Sequence, residues 1–354
     1  MTVPAPPVRR VLAKEVADLP EGHAARATDP DQVSALTALV RAVDIAGCGH
    51  SSTNLEEVTD ELSGPDCDWG YGSATVWRGS DLVGAAFVFD GLASNRGWMI
   101  DVYARPGDPR ARPIMGSLID ASLREGRYRW DALYMDPDVP LPTAKAGCYD
   151  NDGALRAELE RRGFAEVRRF WRMKVDHWSV EGLSGAAGSA AEGAPAPTGS
   201  RLSGGYVIRA FRDVEAEWRG VHAAFSTSFL DHFDFSPLEF GPWREHQSGQ
   251  TTDPSQWIVA EHDSQIIGYA MGSNRYASED CGYVASIGVL REHRGHGVAR
   301  ALLSARMADD VERGFISTIL HVDATNPTGA TGLYESVGMV ADSEFVGFHR
   351  PLFR

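Results

Sequence analysis

The segment Arg294-Gly295-His296-Gly297-Val298-Ala299 joins a strand-like run, 283–290, to a helix-like run, 298–313. Two closely spaced glycines let the backbone wrap tightly around a ligand. The unpaired N–H groups that open the following helix point at that ligand, and the helix dipole favours negative charge there. Arg294 adds a guanidinium suited to bidentate phosphate binding. The segment reads as a cradle for a pyrophosphate. A Walker loop is excluded, because Val298-Ala299 follow the last glycine where Lys-Ser or Lys-Thr would stand. A dinucleotide fingerprint needs a third Gly or Ala at position 300, which is Arg300, and a carboxylate closing the next strand. Asp309, Asp310 and Glu312 come too early for that and fall on the helix.

What remains is an Arg-x-x-Gly-x-Ala loop between strand and helix. Leu302, Ala305, Met307, Ala308 and Val311 give the helix an apolar stripe, and Gly314 stops it. Residues 316–323 (Ile-Ser-Thr-Ile-Leu-His-Val-Asp) are rich in β-branched side chains and predict a strand. Asn326-Pro327 then has the form of an N-cap with proline at the first helical position, before a short helix carrying Leu333-Tyr334-Glu335 and ending at Gly338-Met339. The cradle and this second motif, in that order and spacing, resemble the Gcn5-related N-acetyltransferases over residues 206–354. The resemblance implies acetyl-coenzyme A as co-substrate, with no metal.

The length of 354 residues suggests two domains. The clearest boundary is 182–205, dominated by Gly, Ala, Ser and Pro without apolar periodicity, which is linker composition. The stretches on either side echo each other. An apparent hairpin, 256–260 and 265–272, is matched by 73–77 and 82–89. The strand before the cradle is matched by 98–103, the helix after it by 114–124, and the 326–339 motif by 151–164. The expected fold is therefore α/β (α+β), two tandem acetyltransferase modules, each a mixed, mostly antiparallel sheet flanked by helices. The domains are a degenerate N-terminal module, 1–181, the linker, 182–205, and a catalytic C-terminal module, 206–354. At the place of the cradle, residues 105–113 carry three prolines, which remove donors, and Asp108, which repels phosphate. The counterpart of Tyr334 falls near Leu159. The N-terminal module is expected to do no chemistry.

Four scattered cysteines without a Cys-x-x-Cys pair fit ordinary thiols in a reducing compartment. A net charge of −15 speaks against nucleic acid or anionic membranes as partners. The N-terminus has no signal-peptide core, and no apolar run approaches the ~18 residues a span needs. A cytoplasmic protein is expected, monomeric, with its two modules mimicking a pseudo-symmetric dimer.

By resemblance, Arg294, Gly295, His296, Gly297, Val298 and Ala299 bind the cofactor pyrophosphate, and Ile287, Gly288 and Val289 hold pantetheine and polarise the carbonyl. Tyr334 takes the place of the general acid near the sulfur, and a phenol near 10 is matched to protonating a thiolate. Asn326 either binds cofactor or only caps its helix. Tandem members such as the mycothiol synthases carry a glutamate on the strand before the cradle. Here that strand, 282–289, has no carboxylate, and Glu279, Asp280, Tyr283, His321, Asp323, Asp231, His232 and Asp234 are the alternatives for the base. Within 225–243, Phe233 and Phe235 are candidates to wall an acceptor pocket, and Asp231 and Asp234 to hold an ammonium. The implied activity is N-acyl transfer to a primary amine of a small molecule. A noncatalytic coenzyme A-binding or scaffold protein, or an acetyltransferase acting on a protein or peptide amine, is the alternative.

Overall fold

In the computed structural model, the described residues are 10–51, 53–63, 67, 69–91, 97–133, 141–177, 199–230, 235, 237–249, 251–325 and 330–353. They form two units, one made of 1–169 with 344–354, the other of 170–343.

The first unit contains α1 (Leu12–Glu15), β1 (His23–Ala27), α2 (Val33–Cys48), α3 (Leu55–Ser63), β2 (Ser73–Arg78), β3 (Asp81–Gly91), β4 (Gly97–Ala104), α4 (Ala111–Leu133), β5 (Thr143–Tyr149) and α5 (Gly153–Arg161). A long strand, β6 (Ala165–Asp176), begins in this unit and ends in the other. The second unit continues with β7 (Val207–Ala210), α6 (Glu215–Ser228), α7 (Phe240–His246), β8 (Ile258–His262), β9 (Gln265–Ser273), β10 (Cys281–Val289), α8 (Val298–Glu312), β11 (Ser317–Asp323) and α9 (Ala330–Glu335). The last strand, β12 (Val340–Pro351), returns to the first unit at Glu344.

Strand order is β1-β2-β3-β4-β5-β12 in the first unit and β7-β8-β9-β10-β11-β6 in the second. Each sheet has one parallel pair, β4 with β5 and β10 with β11, among antiparallel neighbours. Each unit also closes on a strand from the other half of the sequence. β12 pairs β5 from Phe345↔Tyr149 to Pro351↔Thr143, and β6 pairs β11 from Asp176↔Ser317 to Phe170↔Asp323. The sequence reading anticipated the hairpins and the mixed, mostly antiparallel sheets but not this exchange. Of the expected linker, 182–198 lies outside the described residues.

Both sheets bury two faces. In the first unit, α1, α4 and α5 cover one face through Leu12, Ile114, Leu118 and Leu155, while α2 and α3 cover the other through Leu36, Leu39, Val58 and Leu62. In the second, α8 packs Leu302 and Ala305 against Ile258, Ile267 and Val289, and α6 with α7 packs Trp218, Val221 and Trp243 on Trp257 and Tyr269. The stripe expected on α8 needs one correction. Val311 is 44% exposed, whereas Arg306 and Asp310 are fully buried and paired with each other. Thr318 of β11 donates to Asp310 at 2.5 Å, so α8 is pinned to β11 by ions rather than by a continuous apolar seam. No described helix is long and apolar enough to cross a membrane.

Candidate active site

The site exists because β10 and β11 part company. They pair only from Cys281↔Ser317 to Val284↔Leu320. At that point β10 carries a bulge, its register against β9 slipping between Val284 and Ser286, and bulges bend a strand and raise its twist. Beyond it β10 stays with β9 as far as Val289↔Gly268, and β11 stays with β6. A cavity of about 700 Å³ fills the gap. Leu290 N–H donates to Ile267 O at 2.9 Å on the β9 side. Peptide groups alternate direction along a strand, so those of Ile287 and Val289 face the gap. They present donors and acceptors along one cavity wall, although the Val289 carbonyl already accepts from Arg294.

At the end of this wall lies the cradle. Gly295 and Gly297 adopt φ of 81° and 76°, a region that side chains other than glycine seldom occupy. A Cβ at either would meet no atom within 4 Å, so the backbone angle, not crowding, requires glycine, and the space above the loop is open. Gly297 is the N-cap of α8, and no side chain caps the helix. Its first-turn N–H groups are therefore available to an anion. Arg294 behaves differently from the phosphate fork read from the sequence. Its Nε donates to Val289 O at 3.1 Å and its Nη2 to Ser228 O at 3.4 Å, tying the end of β10 to the end of α6.

Ile287, Gly288, Val289, Arg294, Gly295, Gly297, Val298, Ala299 and Tyr334 all line the cavity. His296 is not among the lining residues; its Nδ1–H donates to Arg294 O at 2.9 Å and its ring packs on Tyr206. Phe235 packs on Phe225 and on Phe229, and only Phe229 reaches the cavity. Asp231, His232, Phe233, Asp234 and Asn326 lie outside the described residues.

Tyr334 sits on α9, 7% exposed, its ring packed among Val284, Leu303, Met307, Val322 and Met339. Among the described residues no hydrogen bond engages its hydroxyl, and burial pushes the phenol up to about 12. On the opposite face of the sheet, Tyr283 Oη lies 3.3 Å from His321 Nδ1, and both line the cavity. The His321 ring is open to the cavity yet set deep in the protein. That desolvation, with the Arg275 and Arg172 guanidiniums, lowers it to about 4 and keeps the imidazole neutral. Asp323 also lines the cavity and accepts from Thr325 N and Oγ1 at 2.8 and 2.7 Å. Glu279 instead forms an ion pair with buried Arg172 at 3.0 Å. A further group escaped the sequence reading: Tyr269 Oη bridges Ser228 Oγ and Ser286 Oγ, each at 3.3 Å. A Cβ on Gly288 would come within 2.5 Å of Ser228 Oγ, so glycine is required there by close approach.

In the first unit the same two features are closed. Asp108 accepts from Arg110 N–H at 2.8 Å and meets Arg78 at 3.1 Å, so a carboxylate already occupies the approach to α4. β4 and β5 also separate after Ile100↔Ala146, but Tyr149 folds over Gly47, with its hydroxyl on Asp44 at 3.1 Å. Leu159 is buried in the core.

The splayed pair, the glycine loop and the helix it opens fall within a stretch that matches a known family. The family model described as Acetyltransferase (GNAT) family matches residues 218–339. Residues 218–339, within the second unit, are a GNAT acetyltransferase domain. It is 26% identical to the mycothiol acetyltransferase of Kocuria rhizophila over 87% of this chain and 92% of that protein. It is 27% identical to that of Thermobispora bispora over 67% and 74%. The match to the Cellulomonas flavigena mycothiol acetyltransferase, 28% identical, spans 56% of this chain and about half (54%) of that relative. Among solved structures, a GCN5-related N-acetyltransferase from Sphaerobacter thermophilus superimposes with a TM-score of 0.75, 23% identity, and coverage of 95% and 97%. A tandem GNAT protein from the clavulanic acid biosynthesis pathway superimposes at 0.64, 13% identity, over 94% and 98%. Both share the fold of this chain, a tandem GNAT.

Proposed function

We propose that the second unit transfers an acetyl or other short acyl group from acyl-coenzyme A to a primary amine of a small molecule, by direct attack. The observation that carries this reading is the continuity of the cavity. It runs from the uncapped start of α8, along the Ile287 and Val289 peptide groups, to Tyr334 on one face and to Tyr283, His321 and Asp323 on the other.

In this reading the N–H groups of 295–299 hold the pyrophosphate, and the glycines allow the backbone to approach it. The Ile287 and Val289 peptide groups run beside pantetheine and hydrogen-bond to it, as an added strand would. The cofactor supplies the activated thioester; the amine nitrogen forms a bond to its carbonyl carbon and the carbon–sulfur bond breaks. Tyr334 donates a hydrogen bond to the departing sulfur. The amine proton leaves on the opposite face, where neutral His321 and Asp323 are the available acceptors. The name shared by the matched relatives, mycothiol acetyltransferase, supports a small-molecule acceptor. The first unit, with Asp108 and Tyr149 filling its counterparts, serves as a platform without chemistry. The lack of a carboxylate on 281–289 favours a second reading, a coenzyme A-binding scaffold.

The test is calorimetric titration of acetyl-coenzyme A into the full chain and into Gly297→Asp. The substitution places a carboxylate at the helix N-cap, where it can satisfy α8 N–H groups while repelling phosphate. One equivalent bound by the wild type, weakened at least about a hundredfold in the variant, is expected from losing charge-assisted contacts, with thermal unfolding run alongside to show that the variant, strained at a positive φ, is still folded. No binding by the wild type overturns the reading.

A further inference from the structure

Beside the cradle, His293 and His296 of its loop join Tyr206 and His262 in a group of side chains that the transfer reaction does not use. Tyr206, only 5% exposed, is surrounded by three imidazoles. Ring centroids lie 4.5 Å away for His262, 5.4 Å for His296 and 5.7 Å for His293, and His262 is 5.3 Å from His293. Each ring has one nitrogen committed to the fold. His262 Nε2 meets Gly204 O at 3.0 Å, His293 Nδ1 meets Tyr206 Oη at 3.2 Å, and His296 Nδ1–H donates to Arg294 O at 2.9 Å. Those bonds fix ring orientation. They leave Nε2 of His293 and of His296 without a protein partner among the described residues.

The surroundings are cationic in an acidic chain. The stretch 291–300 contains Arg291, His293, Arg294, His296 and Arg300 against a single acid, Glu292, while the whole chain carries −15. The other carboxylate at hand, Asp263, lies 3.5 Å from the His262 ring and points into solvent, 89% exposed. A metal centre is not built here, since no group of three or more His, Cys, Asp or Glu poised to hold an ion occurs among the described residues. His293 lines the cavity while His296 does not, so the pair leads outward from its mouth beside the loop that the cofactor reading assigns to the pyrophosphate. Coenzyme A carries, beyond its pyrophosphate, a separate phosphate monoester on the ribose. Such a group holds about −1.5 to −2 charges near neutral pH and presents three acceptor oxygens. The loop N–H groups cannot serve it while they serve the pyrophosphate.

We propose that His293 and His296, oriented by Tyr206 and the Arg294 carbonyl, form a binding site for the 3′-phosphate of coenzyme A. The proposal rests on the acyl-coenzyme A reading of the cavity. It makes the second unit a reader of the complete cofactor, able to discriminate against the precursor that lacks this phosphate. It also accounts for two histidines in a loop whose glycines and helix start already suffice for a pyrophosphate.

The test compares coenzyme A with 3′-dephospho-coenzyme A by calorimetry, using the full chain and a His293→Asn/His296→Asn double variant. Asparagine keeps a polar group near the Nδ1 position, which preserves the inward bonds, and removes the outward nitrogen. Wild type should bind coenzyme A at least about tenfold more tightly than its dephospho form, the scale of hydrogen bonds to a charged group. In the double variant the ratio should fall to within about twofold, with dephospho-coenzyme A affinity unchanged, which also reports an intact loop. Equal wild-type affinities overturn the proposal, as does a double variant that weakens both ligands by the same factor. Wild type binding neither ligand overturns the cofactor reading itself and the proposal with it.

Discussion

Tyr334→Phe separates catalysis from folding at a single atom. The ring is retained, so its packing on Leu303, Met307 and Met339 is undisturbed. The hydroxyl has no hydrogen-bond partner among the described residues, so stability should change by no more than about 0.5 kcal/mol. Turnover should not be spared. Burial pushes the phenol up to about 12. An ordinary thiol sits near 8.5, so handing the proton to a water-exposed thiolate is uphill by about 3.5 pH units, roughly 5 kcal/mol. That is a poorer match than the near-10 phenol of the sequence reading suggests. The sulfur, however, departs inside the same cavity, where desolvation raises a thiol as it raises a phenol. With equal shifts the gap narrows to about 1.5 pH units, roughly 2 kcal/mol, which a hydrogen bond to the developing thiolate offsets. General-acid contributions span about 10²–10⁴, and this residual gap points to the lower end, a kcat loss of about 10²–10³. Thiol release would be followed with the best acceptor from a screen of small primary amines, alongside thermal unfolding and acetyl-coenzyme A titration. A variant that keeps kcat within threefold of wild type while binding the cofactor equally well refutes a role for the hydroxyl in sulfur departure.

Gly288→Ala inserts a Cβ 2.5 Å from Ser228 Oγ and 2.7 Å from Tyr269 Oη. Overpacking of this kind should cost about 1–3 kcal/mol by thermal unfolding and weaken cofactor binding by calorimetry; a fully stable variant would show that the serine and tyrosine yield freely. Asp310→Ala removes the buried partner of Arg306 and of Thr318. A loss of about 3 kcal/mol or more is expected on denaturant unfolding, and a change under 1 kcal/mol would mean that Asp309 suffices to hold the guanidinium. His321 is lowered to about 4, so between there and its ordinary value near 6.5 the unfolded chain binds the proton and the folded one does not. The native state therefore loses stability as pH falls through that window. His321→Gln should remove the loss, gaining on wild type by on the order of 1 kcal/mol between pH 7.5 and 5 once the open, solvent-screened ring is discounted. Parallel stability curves for the two proteins would contradict a depressed imidazole.

Local chemistry made much of the second unit legible. Gly295 and Gly297 announce positive φ, and the change from strand to helix pattern across them locates a helix start without a capping residue. Tyr334 is singled out by the resemblance of its Leu-Tyr-Glu motif to the acetyltransferases, and the hairpin at Asp263-Ser264 takes the two positive φ values that a tight turn demands. In the first unit, the prolines and Asp108 of 105–113 mark a loop unlike the cradle, and the structure turns Asp108 onto the helix start.

Other features depend on which surfaces meet. Nothing adjacent to Arg294 shows that its guanidinium turns back to Val289 and Ser228, because Ser228 arrives from another helix. The buried Arg306–Asp310 pair is indistinguishable by spacing from an exposed i, i+4 ion pair until β11 brings Thr318 against it. Tyr283 finds His321 only because two strands of distant sequence run parallel, and Tyr206 gathers three histidines, one from the end of β8 and two from the cradle loop. The exchange of β6 and β12 has no local signal, since either strand carries the alternation needed to close either sheet. The sequence by itself determined the backbone angles of the loop, the helix it opens and the tyrosine that follows. The tertiary structure alone decided where the strands part, which polar groups share the resulting cavity and which of them are kept neutral. Dihedral preference is a property of neighbouring residues, whereas desolvation and pairing are set by distant ones.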